Sequence, residues 1–179
     1  YLALEKVDTA GVIGSGGQAR FQMMALKQIR DFRRQMAYGI IPDEVDRYAK
    51  EMAPILGAEI VKAPDVETVV RQSDVVATCT PAKEPYLRAE WLHPGLHITA
   101  MGTDSGDKQE LFAAALSRAD LLVCDSKAQS FRLGEFHNGL EAGIITEASP
   151  IVELGDLTSG RTLGRQSDDQ ITICDLTGV

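Results

Sequence analysis

Gly14-Ser15-Gly16-Gly17-Gln18-Ala19 stands between an apolar run ending at Ile13 and a stretch of helical periodicity. It fits G-x-G-x-x-A, and each small residue has a physical task at a pyrophosphate. Gly14 permits the tight turn, Gly16 lets backbone approach the phosphates, and Ala19 lets the helix pack on the strand. The first N–H groups and the positive end of that helix complete an anion site. With a strand before it and a helix after it, the loop reads as a dinucleotide site. Such a site next uses an acid at the end of the second strand, about 20 residues past the glycines, to hold the adenine ribose. The chain offers Tyr38-Gly39-Ile40-Ile41 there, with neither that acid nor an arginine for a 2′-phosphate. Asp43 is close but equally well part of a helix start, so NAD and NADP both stay open.

Ligands of parallel α/β sheets bind outside the carboxyl ends of the strands. The fourth and fifth apolar runs end in Thr78-Cys79-Thr80-Pro81 and Ala100-Met101-Gly102-Thr103-Asp104. Ala100, Met101 and Gly102 are small or apolar and suit backbone passing a flat ring. Asp104 follows in a loop, where it has two readings. Like Asp107, it can cap a helix near 109–118. Alternatively it is a carboxylate at the crevice edge, able to take and return a proton. His93 and His97 have a metal-binding spacing for a helix, but Pro94 and Gly95 lie between them, so no metal site is expected.

These residues need a scaffold of alternating strands and helices, and the apolar pattern supplies one. Val12-Ile13, Gln35–Tyr38, Glu59–Val61, Val75–Cys79, His97–Met101 and Leu121–Cys124 read as strands. Ala19, Met23, Leu26 and Ile29 stripe one helix; Val45, Tyr48, Ala49, Met52 and Leu56 stripe another, with Pro42 at its start. Runs that are apolar throughout belong to strands covered on both faces. The predicted class is α/β: a Rossmann-type doubly wound, mostly parallel sheet with helices on both faces, and with Val12, Val76, Ile98 and Val123 on adjacent central strands. Residues 1–155 are expected to form the dinucleotide-binding domain. Residues 156–179 form a tail of the same domain, leading back towards a second domain.

The 179 residues carry a formal net charge of -8. A duplex-binding protein needs a basic face, so no nucleic-acid partner is expected. No run of 18 apolar residues offers a membrane span. Cys79, Cys124 and Cys174 sit in or at the end of apolar runs, with no CxxC pair, which points to a reducing, cytoplasmic setting. The chain opens without Met and stops just after a strand-like run, so both ends are expected to continue into a longer protein.

The whole pattern resembles the ornithine cyclodeaminase/mu-crystallin family. Gly11 to Gln22 is similar to its nucleotide loop. Thr99-Ala100-Met101-Gly102-Thr103-Asp104 with Lys108-Gln109-Glu110-Leu111 is similar to its second signature, and Ser167-Asp168-Asp169-Gln170-Ile171-Thr172-Ile173 to its third. The resemblance implies NAD as cofactor and a two-domain subunit, usually a homodimer, whose absent N-terminal part carries dimer and substrate contacts. By matching position it makes Gly17 and Gln18 pyrophosphate contacts within the loop Gly14, Ser15, Gly16, Gly17, Gln18 and Ala19. Thr78 or Thr80 would line the adenosine side. Ile98, Thr99, Ala100, Met101 and Gly102 would line the nicotinamide side, and Ser167 would approach the carboxamide. Asp104 would be the acid/base, with Asp104 and Ser105 touching a small amino-acid substrate. The implied reaction is ornithine-like cyclodeamination: hydride to the cofactor, ring closure, ammonia loss and hydride return. The alternatives are a net imine reductase or amino-acid dehydrogenase, and a non-catalytic mu-crystallin-like binding protein.

Overall fold

The computed structural model describes residues 1–103 and 105–177. Asp104, the expected proton-transfer residue, lies outside the described residues, as do Gly178 and Val179. Among the described residues one sheet is built from β1 (Thr9–Ile13), β2 (Arg34–Tyr38), β3 (Glu59–Lys62), β4 (Val75–Thr78), β5 (His97–Ala100), β6 (Leu121–Cys124), β7 (Ile151–Glu153) and β8 (Thr172–Asp175). The order is β3-β2-β1-β4-β5-β8-β6-β7. Every pairing is parallel. All residues of β4 and of β8 are buried, as strands sandwiched between helical layers must be.

Helices α1 (Gly17–Ile29), α2 (Pro42–Leu56) and α6 (Leu154–Thr158) cover one face of the sheet. On the other lie α3 (Val66–Arg71), α5 (Gly134–Glu141) and a 3-10 turn, Ala113–Arg118; a short α4 (Lys127–Ser130) precedes α5. Helix α2 follows its stripe: Val45, Tyr48, Met52 and Leu56 are buried, and Gly57 ends it with φ 58°. In α1 the stripe is shorter than expected, because Ala19 and Met23 are buried whereas Ile29 is 69% exposed.

Two expectations change. Val12, Val76 and Ile98 do lie on neighbouring strands, but β8 separates β5 from β6, so Ile98 and Val123 are not adjacent. The apolar run at 171–174 announced a strand; only pairing energy between distant segments could say where it inserts. The helix expected near 109–118 is instead the 3-10 turn, preceded by Phe112 with no side-chain cap. That leaves no helix there for an aspartate to cap. Asp107 pairs with Lys83 at 2.6 Å and accepts the Ser105 hydroxyl at 2.6 Å.

Candidate functional site

The strand order reverses at β1: α1 carries the chain to β2 on one side, and α3 carries it back to β4 on the other. A crevice opens at such a switch point, and the glycine loop sits in it. Gly14 has φ +106°, and a Cβ there would stand 2.6 Å from the Cys79 carbonyl oxygen, so only glycine fits. Its N–H donates to Tyr38 O at 2.8 Å, and Cys79 N–H donates to Ile13 O at 2.8 Å. The turn is thereby tied to both neighbouring strands.

Gly16 and Gly17 differ in kind. Gly16 is extended (φ -81°, ψ -167°), and a Cβ on either residue would meet nothing within 4 Å. The fold does not need glycine at these positions; their bareness leaves an open cradle at the start of α1, of the type a pyrophosphate fills. Arg20 supports the loop from behind, its Nη1 donating to the Ser15 and Gly16 carbonyls. Its Nε and Nη2 reach Glu51 at 3.0 and 2.7 Å, and this pairing raises the guanidinium pKa further. Beside the loop a cavity of about 520 Å³ runs past Gly39–Ile41 and Glu44 to Thr80 and Tyr86.

On the far side of the crevice carboxylates tie the end of β4 to that of β5 and, separately, the end of β6 to that of β8. Glu110 is fully buried and accepts five hydrogen bonds. Thr80 N, Thr80 Oγ1 and Tyr86 Oη reach Oε1 at 2.7 Å each, while Thr78 Oγ1 and Gly102 N reach Oε2 at 2.6 and 3.0 Å. It thus clamps the loops after β4 and β5. Gly102 is held so close that a Cβ would stand 2.2 Å from Thr80 O. Glu135 supports Glu110 in turn, accepting the N–H groups of Glu110 and Leu111 at 2.8 and 3.1 Å. Burial pushes its pKa well above the usual carboxylate range. Asp175, at the end of β8, accepts Phe136 N at 3.1 Å, while its Oδ1 has no partner. Asp125 accepts the N–H and hydroxyl of Thr177 at 3.1 and 3.2 Å.

Asp175 gives a pH prediction. Burial pushes its pKa up from 3.8 to about 7, so the fold favours the protonated form. The associated stability is complete below about pH 4 and is lost as the pH rises towards 7, at about 1.4 kcal/mol per pH unit at most. Asp175→Asn mimics the neutral acid and cannot ionise. Thermal melts should find variant and parent similar near pH 4 and the variant several degrees more stable above pH 7. A difference that does not depend on pH would refute this.

The structure brings together only some of the expected contacts. Gly14, Ser15, Gly16 and Thr80 line the cavity, with Gly17 and Gln18 exposed at the start of α1. Ala19 is fully buried and packs rather than binds, and Thr78 is buried against Glu110. Met101 and Gly102 sit at the β5 end, where Met101 N–H donates to Thr78 O at 2.9 Å. Ile98 and Ala100, by contrast, are buried in the core, and Thr99 bonds His97 at 3.0 Å and faces a separate apolar cavity. These three lie within β5, so their side chains point to the packed faces of the sheet and not past its end. Ser105 is engaged with Asp107.

Ser167 is on the wrong edge. It lies in the loop before β8, where its carbonyl accepts Arg165 Nη1 at 3.4 Å; Arg165 also reaches Gly95 O and Leu96 O, just ahead of β5. All strands run the same way, so β8, roughly 13 Å long, separates Ser167 from the crevice. Among the described residues, that region reaches the crevice edge at Thr177, next to the bond from Leu176 N–H to Ala100 O at 2.9 Å. Sequence reasoning passed over Thr177, Glu110, Glu135, Asp125 and Asp175. A signal was present: two apolar runs, ending Val123-Cys124 and Ile173-Cys174, each close on an aspartate.

A family model described as ornithine cyclodeaminase/mu-crystallin family matches residues 1–179. An uncharacterized cyclodeaminase from Sinorhizobium fredii is 37% identical over 178 residues, covering 99% of this chain and 54% of the relative. An archaeal alanine dehydrogenase dimer solved with bound NAD superposes with a TM-score of 0.93 at 34% identity, covering 100% of this chain and 55% of that one. The iminosuccinate reductase of Paracoccus denitrificans, solved with NAD+, gives 0.92 at 34% identity, covering 100% and 54%. The chain spans about half the length of the curated relatives it matches.

Proposed function

The chain belongs to the ornithine cyclodeaminase/mu-crystallin family, and from that premise we propose that it is the NAD-binding half of an enzyme acting at the α-carbon of a small amino or imino acid. The observation that carries this reading is the cradle at Gly16 and Gly17. It is open where the fold tolerates a side chain, and it lies at a helix N-terminus beside a 520 Å³ cavity. When bound, the nicotinamide accepts hydride from, or donates it to, the substrate α-carbon. The residues of this chain orient and shield. Gly14–Gly16 and the start of α1 hold the phosphates, and Glu110 fixes the β4 and β5 ends against each other. Met101, Gly102 and Thr177 border the nicotinamide side. Asp104 is the proposed acid/base, and Ser105 a substrate contact. A second domain in the longer protein, assembled as a cytoplasmic homodimer, would complete the substrate site.

Two reactions share this half. Net redox chemistry on an imine is favoured by the 34% identity and near-complete superposition with an alanine dehydrogenase and an iminosuccinate reductase. Cyclodeamination, in which the hydride returns to the substrate, is favoured by the 37% identical relative that bears a cyclodeaminase name. Absorbance at 340 nm separates them in the complete protein. Loss of NADH with a 2-oxo acid plus ammonia is the expected result for the first. Ammonia release from ornithine without net change in NADH would instead establish the second. Neither signal, with any amine or imine, would leave a ligand-binding protein and overturn the proposal.

A further inference from the structure

The adenosine end of the crevice lacks the acid that normally holds the ribose, and the packing there is tight against a side chain. A Cβ on Gly39 would lie 3.0 Å from Val45 Cγ2 and 3.5 Å from the Ser15 hydroxyl. Val45 is buried in the first turns of α2, so it has little room to yield. The start of α2 therefore closes over the end of β2. The same approach brings Glu44, the residue before Val45, to the wall of the 520 Å³ cavity, alongside Ser15, Gly39, Ile40 and Ile41. Glu44 is the one charged residue lining that cavity among the described residues, and no lysine or arginine joins it. Of the cations on nearby elements, Arg20 pairs with Glu51 at 2.7 Å and Lys62 with Asp46 at 2.5 Å, while Arg47 is exposed one turn along α2 and does not line the cavity.

We infer that Glu44 takes the place of the missing β2 acid, accepting hydrogen bonds from the adenosine ribose hydroxyls and excluding a 2′-phosphate. The inference rests on the reading of the crevice as a dinucleotide site. A carboxylate acceptor matches a diol, whereas a phosphate beside it is repelled, and no lysine or arginine lines the cavity to offset the charge. The exposed Ile40 and Ile41 at the same rim supply apolar surface for the adjoining base. Glu44 also sits in the first turn of α2, where a carboxylate suits the helix dipole.

The test is titration of the purified protein with NADH and with NADPH, followed by nucleotide fluorescence. The parent should prefer NADH by roughly 30-fold or more, and Glu44→Gln should cut that preference by about tenfold or more. Glu44→Arg should reverse it in favour of NADPH. Because Glu44 is exposed, both variants should stay folded, with Glu44→Gln melting near the parent and Glu44→Arg slightly lower because it sets a cation at the start of α2. A parent that prefers NADH but keeps its preference in both variants would overturn the role of Glu44 and leave the dinucleotide site standing. A parent that binds both nucleotides equally would have the same meaning. If the parent binds neither, the site reading itself falls, and the inference with it.

Discussion

Gly16→Val is expected to abolish dinucleotide binding while leaving the fold intact, weakening NADH affinity by roughly 100-fold or more. The two effects separate because of where glycine is needed. At Gly14 a side chain would collide with the Cys79 carbonyl at 2.6 Å in a left-handed backbone, so a loss of binding there would be confounded with misfolding. At Gly16 the backbone is extended and a Cβ meets nothing within 4 Å. A branched side chain there costs the apoprotein little, yet it stands in the space that phosphate oxygens must enter to reach the first N–H groups of α1. Calorimetric titration and a thermal melt on the same sample check both halves. Unchanged affinity, or lost affinity accompanied by a lost melting transition, would contradict the assignment of Gly16 as open cradle rather than structural turn.

Asp104→Asn in the complete protein is expected to lower turnover by roughly 100-fold or more while cofactor affinity and melting temperature stay near the parent's. The alternative role, a helix cap, predicts almost no effect, since asparagine caps as well as aspartate. The 3-10 turn that follows begins at Ala113, after Phe112, with no side-chain cap. The segment leading to Asp104 is firmly held. Met101 is bonded to Thr78, Gly102 to Glu110, and Thr103 is buried. A carboxylate supplied immediately after such a segment can take a proton from a substrate ammonium or give one back. Near-parental turnover in the variant would move proton transfer to another group.

The doubly wound sheet was legible in the sequence because its strands are apolar on both faces and its helices carry a single stripe, and those periods follow from local backbone geometry. The glycine loop was legible for a similar reason: turn, phosphate approach and helix packing are all local demands on residues 14–19. What the sequence left open depended on segments far apart in the chain. The apolar run 171–174 announced a strand, but its insertion between β5 and β6 is set by pairing with residues more than fifty positions away. That insertion puts Ser167 on the far edge and Thr177 at the crevice. Glu110 stood out in the sequence only as part of a family-like signature; it is buried because Thr78 at the end of β4, Thr80 and Tyr86 in the loop after it, and Gly102 at the start of Glu110's own loop satisfy its oxygens. A lone carboxylate cannot be buried at acceptable cost, so its place in the interior is decided by tertiary hydrogen bonding and leaves little trace in the local pattern. Likewise Gly39 reads from sequence as a missing acid. The packing of Val45 against it crowds any side chain there, and Glu44, the residue before Val45 on α2, lines the cavity instead.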